Sequence, residues 1–181
     1  IFIRNIFDNK IITREIIDTS GSILFSLDDK YVFYSKLDKN HRARKIFRHE
    51  IGNFKNPDEL IFEEKSDAFT VGISLSADEK YYFISTSDHN TSEQYYFEVD
   101  ENRPKPKLIK ERKRGILYSN SSWDNKYDNH TNEEAEDFKI DISESLEKQN
   151  WKPFIVAKDE VLIGGCIFLN NWIIRSETSN A

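Results

Sequence analysis

A phrase of the form strand, acidic turn, strand recurs along the chain at nearly constant intervals. No other feature narrows the possible folds as much. Its first copy is Ser22-Ile-Leu-Phe-Ser-Leu-Asp-Asp-Lys-Tyr-Val-Phe-Tyr-Ser35 and its second is Val71-Gly-Ile-Ser-Leu-Ser-Ala-Asp-Glu-Lys-Tyr-Tyr-Phe-Ile-Ser85. A weaker third is Ile116-Leu-Tyr-Ser-Asn-Ser-Ser-Trp-Asp-Asn-Lys-Tyr127, and a degenerate fourth is Gly165-Cys-Ile-Phe-Leu-Asn-Asn-Trp-Ile-Ile174. The residue before each aromatic (Lys30, Lys80, Lys126, Asn171) marks intervals of 50, 46 and 45 residues. Asp and Asn tolerate left-handed backbone and bond to their own chain, so these acidic tripeptides suit tight hairpins.

Short apolar and aromatic runs fill the intervals, at 1–6, 11–16, 23–25, 31–34, 45–51, 60–62, 69–75, 81–85, 94–99, 108–109, 116–118, 138–142, 154–156, 161–169 and 172–174. Most are rich in Ile, Val, Phe and Tyr and end at Asp, Asn, Gly, Ser or Pro, the pattern of strands joined by turns. Helical periodicity is nearly absent; residues 143–151, with Ser143 as a cap, read equally as a short helical turn or a loop. The sequence therefore predicts an all-β chain. Four strands per period of 45–50 residues fit the blades of a partial β-propeller, about four four-stranded blades, although other all-β arrays share such spacing. The expected blades are 1–21 (partial), 22–67, 68–114, 115–159 and 160–181 (partial). One copy departs from the pattern: after Tyr127 come Asp128, Asn129 and His130, where the first two copies place apolar residues. Unbonded polar groups inside a sheet are costly, which implies a locally shortened register or a blade that has drifted.

Within this frame, Asp38-Lys-Asn-His-Arg-Ala-Arg-Lys-Ile-Phe-Arg-His-Glu-Ile-Gly52, Phe62-Glu-Glu-Lys65, Ser87-Asp-His-Asn-Thr-Ser-Glu93 and Asn132-Glu-Glu-Ala-Glu-Asp-Phe-Lys-Ile140 follow one another in order. In that order they resemble the propeller of the oligopeptidase B (protease II) branch of the prolyl oligopeptidase family of serine peptidases. The resemblance runs over essentially the whole chain and is faintest in the first and last twenty residues. It implies a parent enzyme in which a seven-bladed propeller caps an α/β-hydrolase domain with a Ser-His-Asp triad. Such a parent cleaves small peptides after Arg or Lys, and its propeller keeps folded proteins from the active site. The family's nucleophile, base and acidic specificity pockets lie C-terminal to the propeller, so none of them maps onto this sequence. The chain opens on Ile1 and contains no Met, which fits a segment of a longer parent. The alternative is a free-standing or truncated binding module without peptidase activity.

The remaining chemistry is sparse. The nearest string to a Gly-x-Ser-x-Gly nucleophile elbow is Gly72-Ile-Ser-Leu-Ser76, which fails at its last position and leaves Ser74 inside a predicted strand. His41, His49, His89 and His130 show no zinc spacing; His49 reads as a strand-pairing residue. The acidic stretch 124–134 lacks the glycine and ligand spacing of a calcium loop. No catalytic, metal or cofactor residue is expected. Thr91, Ser92 and Glu93 are expected to brace a loop. Cys166, the one cysteine, reads as a buried inert thiol in a reducing, cytoplasmic setting. With 32 acids against 26 bases the net charge is −6, which argues against nucleic acid as a partner and favours cationic ones. Glu63-Glu64 and Glu133-Glu134 are candidates for drawing in basic peptides. The basic run 105–114 reads as a solvated edge strand and turn. No stretch has the length of a membrane span or the form of a signal peptide, so no membrane partner is expected.

Overall fold

The structure, a computed structural model, describes residues 1–169 and 171–179. Among these residues, fourteen strands form antiparallel sheets in chain order. Sheet 1 comprises β1 (Thr19–Phe25), β2 (Tyr31–Leu37), β3 (Ala43–Glu50) and β4 (Glu59–Glu63). Sheet 2 comprises β5 (Thr70–Leu75), β6 (Tyr81–Ser87), β7 (Ser92–Glu98) and β8 (Lys107–Lys110). Sheet 3 comprises β9 (Tyr118–Trp123), β10 (Lys126–Thr131), β11 (Lys139–Ser143) and β12 (Lys152–Ile155). Sheet 4 is the hairpin of β13 (Val161–Leu169) and β14 (Trp172–Ser179). Every four-stranded sheet is a simple up-and-down meander, and no helix occurs among the described residues. Asn170, Asn180 and Ala181, which belong to the fourth repeat and the expected last blade, lie outside the described residues.

The acidic turns do what their composition predicts. Asp29 (φ 56°) and Glu79 (φ 58°) take the left-handed conformation at matching positions. In each, a serine one strand-end earlier binds the turn: Ser26 Oγ donates to Asp28 at 2.7 Å and accepts from Tyr31 N at 2.9 Å. Ser76 Oγ repeats this with Asp78 at 2.9 Å and Tyr81 N at 3.0 Å. The third turn is tighter. Trp123 pairs with Lys126, and Asp124 and Asn125 are both left-handed (φ 48° and 58°), as a two-residue hairpin requires. The serine freed by that change, Ser122, donates instead to Asp78 of the preceding sheet at 2.6 Å.

Alternation along β6 places its side chains in two cores at once. Tyr82 and Ile84 join Phe33, Ile46, Val71 and Phe97 between sheets 1 and 2. Phe83 faces the other way, packing with Tyr96, Ile109 and Leu146 against Tyr81, Tyr127 and Trp151 between sheets 2 and 3. In the first core Phe33 and Tyr82 lie 4.8 Å apart by ring centroids and Tyr82 and Phe97 5.2 Å. Phe33→Ala is expected to cost about 3–5 kcal/mol through the cavity it leaves, read as a lower urea midpoint at unchanged slope. Sheets 3 and 4 meet through the stacked rings of Trp123 and Phe168 at 4.1 Å and through Ile163, which is fully buried.

Two expectations need correction, and one open alternative, at residues 143–151, is decided in favour of the loop. The apolar runs 1–6 and 11–16 form no named strand; they lie side by side through an isolated bridge, Arg4 to Ile11, and scattered backbone bonds such as Ile12 N to Ile3 O and Ile16 N to Ile1 O. The Asn5 side chain accepts from Phe7 N and Asp8 N and thereby builds a turn. Ile3 and Ile16 are buried while Phe2, Ile6, Phe7 and Ile17 stay exposed. Residues 143–151 are a loop with one turn, in which Ser143 bonds to Ser145 and Ser145 Oγ accepts from Lys148 N. Finally, β10 is neither shortened nor irregular. Asp128, Asn129 and His130 pair in unbroken register with Ser121, Asn120 and Ser119 on one side and with Ile142, Asp141 and Ile140 on the other.

Candidate functional site

Charged and polar side chains concentrate where sheets meet. Glu64 immediately follows β4, and Arg112 lies two residues beyond β8, the last strand of the next sheet. The repeat thus sets a carboxylate and a guanidinium at near-equivalent places in successive sheets. Arg112 Nη2 lies 2.8 Å from Glu64 and 2.6 Å from Glu93, and its Nε is 3.1 Å from the same Glu93 oxygen. Its backbone N also donates to Glu93 at 2.9 Å, Thr86 donates to Glu64, and the guanidinium lies 4.1 Å over the ring of Phe69. The side chains of Glu64 and Glu93 are 3% and 7% exposed. Burial opposes their ionisation, but the hydrogen bonds from Arg112, together with those from Thr86 and Ser66 N at Glu64 and from Tyr95 at Glu93, outweigh it and hold both carboxyls below their ordinary range.

The phrase around Thr91, Ser92 and Glu93 ties sheet 2 to sheet 3. Thr91 Oγ1 accepts from Gly115 N at 3.2 Å, Ser92 Oγ donates to Tyr118 O at 2.7 Å, and Tyr118 N donates back to Ser92 Oγ at 2.6 Å. Gln94 extends the seam by accepting from Asn120 N at 2.7 Å. The expected bracing role is what these bonds perform.

A second polar group lies on sheet 1. His49, fully buried on β3, holds Asp58 through Nδ1 at 2.8 Å. Tyr34 OH donates to the other oxygen of Asp58 at 2.7 Å, and Arg14 reaches Asp58 at 2.6 Å. Burial raises the pKa of Asp58, but these donors together bring it below the usual value. They also fasten the N-terminal segment to the sheet. His49 does pair across the ladder with Val32, yet its binding to Asp58 has no signature in local sequence.

Asp128 departs from this compensated charge. It is 5% exposed and accepts from Ser121 N at 3.0 Å, with no cation bonded to it among the described residues. Burial pushes its pKa up to about 7, against the smaller opposing effect of backbone hydrogen bonds. On the same strand His130 Nε2 bonds Ile163 O at 2.8 Å and its ring stacks on Phe138.

Other residues singled out by the sequence fall as follows. Ser74 pairs with Phe83 in the middle of the β5–β6 ladder. His41 occupies the β2–β3 turn at φ 58°, and His89 the loop before β7. Cys166 is half-buried rather than buried, on a bulged β13, and its thiol is pushed up by burial and then by Asp128. Glu64 is not a surface acid at all; Glu63 pairs with Lys45 at 3.2 Å, and Glu133 with Lys110. These three are neutralised by their own chain and offer little to a basic peptide. The run 105–114 does contain edge strand β8, but its Arg112 turns inward to the buried acids, which composition could not distinguish from its exposed neighbours. Among the described residues, no three His, Cys, Asp or Glu stand together as a metal-binding group.

Up-and-down four-stranded sheets stacked face to face, with buried polar residues joining one to the next, define a β-propeller domain. The family model described as "Prolyl oligopeptidase, N-terminal beta-propeller domain" matches residues 1–181, and the chain belongs to that family. It is 32% identical over 157 residues to Protease 2 of Moraxella lacunata, covering 80% of this chain and 23% of that protein. It is 23% identical over 189 residues to dipeptidyl aminopeptidase BI of Pseudoxanthomonas mexicana, covering 98% of this chain and 25% of that one. Among solved structures, oligopeptidase B of Trypanosoma brucei, with covalently bound antipain, superposes with a TM-score of 0.86 at 20% identity over 91% of this chain and 24% of that one. Oligopeptidase B of Leishmania major gives 0.83 at 20% identity, over 90% and 23% respectively. The chain spans about a quarter of the length of each of these relatives.

Proposed function

We propose that the chain acts as the non-catalytic propeller portion of a serine oligopeptidase resembling oligopeptidase B. Its partner is a C-terminal α/β-hydrolase domain of the same parent chain. In that parent, serine attacks the scissile carbonyl, histidine moves the proton and aspartate orients the histidine. The substrates are small peptides cut after Arg or Lys. The propeller's contribution is steric and dielectric: a rigid stack of sheets admits extended peptides, turns away folded proteins and keeps bulk water from the reaction. A reducing, cytoplasmic setting belongs to the same proposal and accords with a single cysteine.

The observation that carries this reading is the match of the propeller domain to residues 1–181, joined with 32% identity to Protease 2. The 181-residue chain mixed with an Arg-linked chromogenic peptide is expected to release no chromophore above the buffer rate. The same chain continued into its in-frame hydrolase domain is expected to turn the peptide over. Hydrolysis by the 181 residues alone would overturn the non-catalytic assignment. A stop codon directly after Ala181, with no Gly-x-Ser-x-Gly in frame, would replace the partner domain with a free-standing module.

A further inference from the structure

We propose that a cleft shared by sheets 2, 3 and 4 receives the side chain of an arginine from a bound peptide. The cleft has a volume of about 330 Å³ and is lined by Ala77, Asp78, Trp123, Asp124, Phe168 and Leu169. That volume lies at the lower end of the range for small-molecule sites, about 300–1,000 Å³. It adjoins the β5–β6 and β9–β10 turns, two copies of the same repeated phrase. The proposal rests on the reading of basic peptides as the parent's substrates, and it adds a contact made by the propeller itself.

Comparison of the repeated turns carries the inference. In the first repeat the charge of Asp28 is answered within its own turn, where Lys30 Nζ lies 2.9 Å from the carboxylate. In the second repeat the matching lysine turns away: Lys80 Nζ bonds to Asn125 Oδ1 of the next turn. Asp78 is left with neutral donors on a single oxygen, Ser76 Oγ at 2.9 Å, Ser122 Oγ at 2.6 Å and the Lys80 backbone N at 3.4 Å. Its other oxygen, Oδ2, is buried and has no hydrogen-bond partner among the described residues. Neither Asp78 nor Asp124 forms a salt bridge among the described residues. A carboxylate with one bare buried oxygen is an expensive arrangement unless a cation arrives to share it.

The rest of the lining specifies which cation. Trp123 and Phe168 are stacked at 4.1 Å with an interplanar angle of 16°, and with Ala77 and Leu169 they form an apolar wall. A bare metal ion gains nothing from such a wall, since hard cations are held by six to eight oxygens. Arginine matches both halves of the cleft. Its methylene stem lies along apolar surface, and its planar guanidinium stacks on aromatic rings while donating to carboxylates.

Titration of the 181-residue chain with N-acetyl-arginine amide, followed by calorimetry and by tryptophan fluorescence, tests the assignment. N-acetyl-citrulline amide is the neutral isostere, and calcium chloride is the metal control. Saturable binding of the arginine amide is expected, with the citrulline amide at least about tenfold weaker, because a charge-assisted hydrogen bond is lost. Asp78→Asn is expected to weaken binding about tenfold and the exposed Asp124→Asn a few-fold; Glu59→Gln, far from the cleft, leaves it unchanged. Asp124 forms its turn through backbone conformation, so its variant remains informative if Asp78→Asn disturbs the fold. Equal binding of the two amides, binding untouched by both substitutions, tighter binding of calcium, or no saturation would each overturn the site. Failure here together with hydrolysis of Arg substrates by the two-domain chain would leave the oligopeptidase reading intact; binding here without such hydrolysis would remove that reading and keep the site.

Discussion

Asp128→Asn makes the chain more stable at pH 8, and its advantage shrinks steadily as pH falls towards 4. In the folded chain the Asp128 carboxyl titrates at about 7 because it is buried, whereas an unfolded chain restores the ordinary value near 3.8. Between those values the folded state holds a proton that the unfolded state has released, so unfolding free energy falls as pH rises through the window. The full penalty is present above pH 7 and amounts to about 4 kcal/mol at most, taking about 1.4 kcal/mol per pH unit. Relaxation around the site makes a gain of about 1–3 kcal/mol the expected measurement for the asparagine variant at pH 8. At pH 5 only the first part of that window has been crossed, so the penalty is about 1.6 kcal/mol at most and the variant's advantage should be less than half of that at pH 8; the two proteins converge near pH 4. Asparagine can keep the hydrogen bond from Ser121 N. Urea unfolding from pH 4.5 to 8.5 checks it; parallel pH curves for the two proteins would show that the buried carboxylate is not the source.

Arg112→Met is expected to destabilise the chain by about 3–5 kcal/mol at pH 7, the cost of leaving buried charges without their counterion. Two carboxylates lose their shared guanidinium, and Glu64 and Glu93 have no access to water in compensation. Arg112→Lys should recover only part of this, because one ammonium cannot reproduce the fork that meets both acids. The triple change Glu64→Gln, Glu93→Gln, Arg112→Met should recover more than the lysine does, since it removes the stranded charges. The pH signature is opposite to that of Asp128. Both glutamates titrate below their unfolded value near 4.5. Their contribution is therefore complete above that pH and is lost as pH falls through the lower folded value. In the methionine variant burial acts on both carboxyls without Arg112 to oppose it, so the deficit should be largest near pH 7 and shrink as acid protonates them. The native chain, pulled from both sides, is expected to be most stable in mildly acidic solution.

The turns were legible because their chemistry is local: Asp and Asn at a left-handed position announce a hairpin whatever surrounds them. The middle strands of sheets 1 and 2 were equally plain, since Tyr31–Leu37 and Tyr81–Ser87 carry their hydrophobic content in the strand itself. Sheet 3 was harder. Tyr118–Trp123 and Lys126–Thr131 are built of Ser, Asn, Asp and His, and their polar groups are satisfied by residues far away in sequence. Gln94 bonding Asn120 and His130 bonding Ile163 have no local trace. The opposite error arose at residues 1–16, where apolar content suggested strands although no neighbouring strand was there to complete a ladder. Arg112 was concealed among Lys110, Lys113 and Arg114, and only its place relative to Glu64 in the repeat betrays its burial.

The alternation in β6 bears on how this chain can be divided. Tyr82 and Ile84 close one core while Phe83, one step along the backbone, closes the other. A cut through either loop flanking the second sheet would strip oil from two compartments together, so the repeats that look modular on paper must melt as a single cooperative block.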